Sequence, residues 1–336
     1  MSRAVFMVGE QRSGSNLLRL MLNQSGELAG PHPPHLLQRL MPLLAGYGDL
    51  ELEPNFRELL EDACLLVERN PVPWEGMEAI DRDEIADRAR ERSLVGIFGA
   101  LMDAFADRQG KAKWICKSMT YIRHASDLDR CFGAPKYVYL HRDPRDVTLS
   151  FMKAVVGEKH PYCIARAWAD LQATCLAERE RIGPGRFHAV SYEGLTADPE
   201  ATLRGLCAFL EIEFRTEMIE YSRSGEARRT ADRSSLWKNV TRPVMADNSK
   251  KFLTEMEPST LELVESVAGA ELDALGYERC RVQPGRERLF SASEIHAFEE
   301  ENRRLKLERQ AEVDPQDRAR RQHQLAVLTA ASERHA

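Results

Sequence analysis

The sequence predicts an α/β protein: a phosphate-loop-like (P-loop-like) central parallel sheet flanked by helices on both faces, with a C-terminal helical extension. Three observations carry that expectation. An apolar run over residues 4–8 stops at Gly9 and opens into "GEQRSGSN", which leads into an apolar helical stretch. Strand, glycine loop and helix in that order set backbone N–H groups and a helix N-terminus around an anion. Later β-rich runs alternate with helical patterns, which calls for parallel strands joined by helices. Beyond residue 284 the composition shifts to Glu, Arg, Gln and Ala with balanced charge. Residues 1–280 are therefore expected to form the main domain and residues 281–336 the extension.

The elements follow in order. Residues 4–8 read as a buried strand, and residues 16–23 as a helix with Leu17, Leu18, Leu20, Met21 and Leu22 inward and Arg19 outward. Pro31, Pro33 and Pro34 interrupt the chain, and a helix starts near His35 and runs through Leu44. Residues 54–110 carry two helices, the second opened by Asp81 with Glu84 three positions on, a capping-box variant. Residues 114–116 form a short strand. "KYVYLH" (136–141) is a strong one, with aromatic and β-branched residues after Gly133 and Pro135. Helices are expected over 146–154 and 161–182, the latter closed by Gly183, Pro184 and Gly185. A strand over 187–190, a loop, and a helix over 199–210 follow. Residues 222–250 read as a long functional loop, and 258–275 as one helix. In the extension, Ile295, Phe298, Asn302 and Leu305 form a weak stripe that could pack on the domain or on a second copy.

Bulk properties narrow the function. The chain has 336 residues and a net charge of −6, which argues against a general nucleic-acid binder. Seven scattered cysteines without a CxxC pair suit reduced thiols rather than a zinc knuckle. No apolar stretch approaches the length of a membrane span, and no signal-like segment precedes the first strand. A cytoplasmic protein is expected.

Three motifs carry chemistry. In "GEQRSGSN", Gly9 and Gly14 have triphosphatase-loop spacing, but Ser15 and Asn16 stand where Lys and the magnesium-binding hydroxyl belong. Arg12 instead offers a donor fork suited to phosphate or sulfate, and Ser13, Ser15 and the helix N-terminus add donors. The residues around Gly14, namely Arg12, Ser13, Ser15 and Asn16, include no carboxylate to ligate Mg²⁺. The bland alternative is a tight turn with a capping Ser. In "YLHRDPRDVTLSF", a strand delivers Arg142, and a helix delivers Ser150 toward a second anion above the same sheet edge. Otherwise these are a surface Arg pair and a helix-start acid, Asp146. In "VSYEGLTADPEATLRGLCAFLEIEF", Tyr192 lies just past a strand, where its ring could stack on a base or simply close the core edge. Asp198 and Pro199 start a helix there.

Together, these motifs make the chain resemble the sulfotransferases that use 3′-phosphoadenosine 5′-phosphosulfate (PAPS), over roughly residues 3–278. "GEQRSGSNLLRLML" resembles the family's 5′-phosphosulfate loop, with Ser15-Asn16 for the commoner Thr-Thr. "RDPRDVTLS" is similar to its 3′-phosphate motif, including the step from Arg142 to Ser150. "YEGLTADPEATLRGLCAFL" is similar to the segment whose Tyr lies by the adenine. The flavour is that of the bacterial and tyrosylprotein-sulfotransferase-like branch, with Arg in the loop.

The resemblance implies that Arg12, Ser13, Gly14, Ser15 and Asn16 bind the phosphosulfate, Arg142 and Ser150 the 3′-phosphate, and Tyr192 the adenine. PAPS would be the co-substrate, PAP the product, and no metal would be needed. Arg12 and Lys117, in "ICKSM", would answer charge on the leaving group, although Lys117 could instead be an exposed lysine. The family's Glu base, some twenty residues past the loop Arg near a Pro-Pro step, has no counterpart in "AGPHPPHLL". His35 and then His32 are the candidates, with Pro33 at the most direct alignment position. An imidazole near its usual pKa is a competent base, and a helix start favours its neutral form at His35. Capping or packing histidines are the alternative. In "ADNSKKF", Lys251, then Lys250, matches a late Lys that reaches the cofactor phosphates, or else lies on a solvated basic face. His160 and Trp237 are minor candidates near an acceptor pocket shaped by residues 31–112 and 154–182.

The expected acceptor is a small hydroxylated molecule, or an amine, with no nucleic-acid or membrane partner. A homodimer through the C-terminal helices stays open. Two rivals remain: a PAP-binding scaffold without turnover, which the missing Glu keeps alive, and a metal-dependent nucleotide kinase, which the missing Lys disfavours.

Overall fold

The computed structural model describes residues 2–233, 239–245 and 248–335. Five parallel strands form one sheet in the order β2-β3-β1-β4-β5: β1 (Ala4–Gly9), β2 (Leu28–Ala29), β3 (Lys113–Cys116), β4 (Lys136–His141) and β5 (Phe187–Ser191). The helices of the first half are α1 (Ser15–Asn23), α2 (Leu36–Leu40), α3 (Glu53–Glu68), α4 (Arg82–Arg88), α5 (Leu94–Arg108), α6 (Ala125–Phe132), α7 (Pro144–Lys153) and α8 (Pro161–Ile182). They continue as α9 (Tyr192–Ala197), α10 (Pro199–Leu210), α11 (Gly225–Arg233), α12 (Phe252–Glu255), α13 (Pro258–Val267), α14 (Gly269–Ala274), α15 (Ala292–Ala311) and α16 (Pro315–Arg334).

The central strand β1 is buried along its length and sorts its side chains by parity. Ala4, Phe6 and Val8 join the core shared with α3, α5 and β3, where Phe6 meets Trp114 edge-on at 5.5 Å. Val5 and Met7 face α1 and α10 on the other side of the sheet. Gly9 ends the strand at φ 126°, and a Cβ there would lie 2.2 Å from the Leu140 carbonyl oxygen of β4. Only glycine lets the chain leave the sheet so close to its neighbour. The C-terminal ends of β1, β4 and β5, three adjacent strands, therefore deliver the glycine loop, Arg142 and Tyr192 side by side, at the edge where open parallel sheets bind ligands.

Several expectations are corrected. Residues 54–110 hold three helices, because the Asp81 cap opens a helix of only seven residues and Ser93 caps another on Gly96 N–H. The helix expected over 258–275 is two, parted at Ala268. The stretch after β5 is helix α9 rather than loop, and residues 225–233 of the expected long loop are helical. Helix α2 gives way to a 3-10 helix over Met41–Tyr47. Arg19, expected outward, is fully buried: it donates to the Gly30 carbonyl at 2.7 Å and pairs with Glu226 of α11.

The C-terminal helices fold back on the main body. Phe298 of α15 stacks on His160 at 4.6 Å, and Asn302 Oδ1 accepts from the N–H groups of Lys159 and His160 at 2.7 and 2.9 Å. The stripe foreseen on this helix is thus spent within the chain at these two positions. Helix α16 lies on α3, burying Val327 and Ala331, with Gln324 donating to the Leu66 carbonyl at 2.7 Å. No helix among the described residues is long and apolar enough to cross a membrane.

Candidate active site

Two cavities meet at the glycine loop. The first, about 330 Å³, is lined by Arg12, Gly14, Ser15, Asn16, Arg142, Ser150, Tyr192 and Lys251, among others. Gly14 takes φ 86° ahead of α1, and a Cβ there would lie 2.4 Å from the Tyr192 ring. Glycine thus lets the loop press against the aromatic face while α1 points its N-terminus at the cavity. Arg12 is also left-handed, at φ 67°, a strained state for a residue with a side chain.

Arg12 and Arg142 lie close enough to repel each other, and Arg142 Nη2 also stands 3.8 Å from the buried Asp146 carboxylate. Arg12 Nε donates to Ser150 Oγ at 3.0 Å. Arg142 donates to the Arg12 and Asn248 carbonyls at 3.0 and 2.6 Å, and its guanidinium lies 4.2 Å from the Tyr192 ring centroid. Asn248 in turn donates to the Tyr192 hydroxyl at 2.7 Å. Burial and then Arg142 push the Arg12 pKa down. Among the described residues, Ser13 Oγ, Asn16 Oδ1 and Arg142 Nε are buried without a hydrogen-bond partner. Stacked cations, unspent polar atoms and an open helix N-terminus fit a ligand with more than one anionic group.

Asp146 was expected only as a helix-start acid. It accepts from the N–H groups of Lys250 and Phe252 at 2.7 and 3.1 Å, pinning the segment that carries Lys251 to the cavity rim. Arg145, the second Arg of "RDPRD", is structural: it pairs with Asp143 and the fully buried Glu265, both at 2.7 Å.

The second cavity, about 770 Å³, shares Arg12 and Asn16 with the first and adds Glu10, His32, His35, Arg39, Lys117 and Arg321. Lys117 is buried, not an exposed lysine; burial and then Arg19 and Arg12 lower its pKa to about 7. His35 caps α2 from a left-handed backbone at φ 55°, and its Nδ1 is buried without a partner among the described residues. Its pKa is about 3, driven down first by burial and then by Lys117, Arg39 and Arg321. His32 is also lowered well below the usual value, chiefly by burial. The expectation of imidazoles near their ordinary pKa is thus corrected: desolvation among cations keeps both neutral. Val72 N–H donates to Asn70 Oδ1, so that oxygen faces His32 Nδ1 at 3.0 Å, Nδ1 carries the proton, and Nε2 carries the lone pair.

The sequence-derived residues converge well. Arg12, Gly14, Ser15, Asn16, Arg142, Ser150, Tyr192 and Lys251 share the first cavity, and His32, His35 and Lys117 the second. Ser13 lies beneath the loop, fully buried, rather than in the lining. His160 caps α8 by accepting from Tyr162 N–H. Trp237 and residues 246–247 of "ADNSKKF" lie outside the described residues. Glu10, Arg39 and Arg321 were missed. Only Glu10 left a signal, as an acid inside the loop itself. Burial raises its pKa to about 7.

A profile of the sulfotransferase family matches residues 4–216. The fold is similar to the sulfotransferase domain from the curacin biosynthetic pathway, with a TM-score of 0.57 and 22% identity, covering 82% of this chain and 98% of that one. It is also similar to the sulfotransferase domain of the Synechococcus PCC 7002 olefin synthase, with a TM-score of 0.53 and 24% identity, covering 79% and 94%. An uncharacterized protein of Aquifex aeolicus (strain VF5) is 22% identical over 248 residues, which span 71% of this chain and 29% of that protein. With the match covering well over half its length, the chain belongs to the sulfotransferase family.

Proposed function

We propose that this chain transfers a sulfuryl group from PAPS to a hydroxyl or amine of a small molecule. The observation that carries the reading is the junction of the two cavities at Arg12 and Asn16. The first cavity has the donor set for a two-anion nucleotide. Arg12, Ser15, Asn16 and the N-terminus of α1, with Ser13 beneath, would hold the 5′-phosphosulfate. Arg142, Ser150 and Lys251 would hold the 3′-phosphate, and the Tyr192 ring the base. The second cavity has the size of a small-molecule site. PAPS supplies the sulfuryl group and a good leaving group.

What the chain's own residues do follows from their placement. Arg12 stands at the junction, where a guanidinium can stabilise negative charge developing between donor and acceptor. Lys117, also in the second cavity, adds a second cation while protonated. His35, with His32 beside it, is the neutral imidazole placed to accept the acceptor's proton, a weak base for that step with its pKa lowered to about 3.

The test is direct. PAP should raise the melting temperature of the full chain without magnesium, and an acceptor screen with PAPS should return products heavier by one sulfuryl group. Stabilisation by ATP with magnesium but not by PAP overturns the reading. PAP binding with no product from any acceptor favours a scaffold role.

A further inference from the structure

The second cavity has a charge asymmetry that sulfuryl transfer does not use. Its acids are engaged. Glu158 is held by Asn302 and by Lys306 at 3.0 Å, and Glu10 accepts from Gln11 N–H at 2.7 Å. The lining also holds Arg39 of α2. No carboxylate among the described residues lies within ion-pair distance of it, and its Nη1 is buried without a hydrogen-bond partner. Its charged neighbour is another cation, Arg321 of α16, held in place by the buried Asp317 at 3.1 Å. The same lining also holds apolar side chains: Met119, Phe151, Val156, Ile164, Leu325 and Leu328.

A half-buried guanidinium with no counter-charge, set beside a second one and with one nitrogen buried unpaired, is costly unless a ligand answers it. Nothing in the transfer chemistry does so, because the sulfuryl donor belongs to the other cavity. We propose that Arg39 and Arg321 form an anion subsite for the acceptor, which is a hydroxylated molecule with an apolar body and a carboxylate or phosphate at its far end. The inference rests on the sulfotransferase reading. It makes α16, from the C-terminal extension, part of the acceptor site. An anion seated there also offsets the like charge of Arg39 and Arg321 that keeps protons off His35.

The experiment uses the full chain saturated with PAP. Binding of 4-hydroxyphenylacetate, its methyl ester and (4-hydroxybenzyl)phosphonate is measured by calorimetry. At least one anionic probe should bind about tenfold tighter than the ester, as a desolvated charge contact allows, and the tighter of acid and phosphonate names the anion. Arg39→Gln should remove that preference and Arg39→Lys should keep part of it, with PAP affinity unchanged in both. Arg321→Gln should reduce the preference as well. An ester that binds as tightly as both anions, or a preference that survives Arg39→Gln, overturns the subsite. So does the absence of binding by all three probes to the PAP-loaded chain. Failure of PAP itself to bind overturns the underlying reading instead.

Discussion

The two cavities share Arg12 yet are built by opposite means. The first cavity, the proposed donor site, comes largely from short motifs at the ends of adjacent strands, and its groups are braced by one another: Arg12 on Ser150, Arg142 on the Arg12 carbonyl, Asn248 on Tyr192. The second, the proposed acceptor site, is assembled from segments scattered between Glu10 and Leu328, and its titratable groups are perturbed mainly by desolvation. On the proposed reading, the donor half is a preorganised anion trap, whereas the acceptor half sets proton affinities.

The sharpest way to break that division is at the residue both halves share. Arg12→Ala should lower turnover about 10³-fold, as loss of a preorganised charge donor does, and should also weaken PAP in a binding titration. A variant with normal PAP affinity and normal turnover would remove Arg12 from the junction role.

Lys117→Ala should cost about 10²-fold in kcat, at the lower end for such groups, with PAP affinity retained. The sign of the pH effect follows from its lowered pKa. Lys117 holds its proton below about 7 and loses it as pH rises through that value. The rate should therefore fall on the alkaline side of 7, and Lys117→Arg should shift that limb upward. A pH profile flat from 6 to 9 contradicts this.

Arg142→Ala belongs to the donor half alone. It should weaken PAP by about 10- to 100-fold, the worth of a charge-assisted contact, while leaving kcat at saturating PAPS nearly intact. His35→Ala should do the reverse, lowering turnover by about 10²-fold, the scale of general-base loss, with PAP affinity unchanged; His32→Ala should cost less. If both His variants keep full activity and Glu10→Gln does not, the base moves to Glu10.

The smallest expected effect is on stability. Glu10 has its pKa raised from 4.5 to about 7, so between those values the folded chain binds the extra proton and loses stability as pH rises. Above 7 the full cost of a buried carboxylate remains. Glu10→Gln should therefore melt a few degrees higher than the parent at pH 8, with the gain shrinking by pH 5. An equal gain at both pH values would mean packing, not charge.

The donor half was legible in the sequence because its residues lie within short motifs, and the order β1-β4-β5 places those motifs together. Strand ends and helix starts marked where Arg12, Arg142, Ser150 and Tyr192 lie, but their expected roles came from the resemblance carried by the three motifs in order. The acceptor half was legible only in part. "PHPPH" and Lys117 stood out, but Arg39 and Arg321 are ordinary helix-surface residues by pattern, and only tertiary packing brings them to one cavity. Arg19 failed for a related reason. Its position looked solvent-facing, but the Gly30 carbonyl and Glu226 satisfy it inside, and no local periodicity encodes a partner on α11. The split of 258–275 turns on one residue's backbone at Ala268, which helix propensity does not mark.

The return of α16 onto α3 has an evolutionary consequence. Arg321, Gln324, Leu325 and Leu328 line the second cavity, the proposed acceptor site, from a helix that holds none of the first cavity's residues. Mutations on that face can accumulate without disturbing the nucleotide clamp. A lineage could thus explore new acceptors by drift in its tail while its ancestral chemistry stays under separate selection.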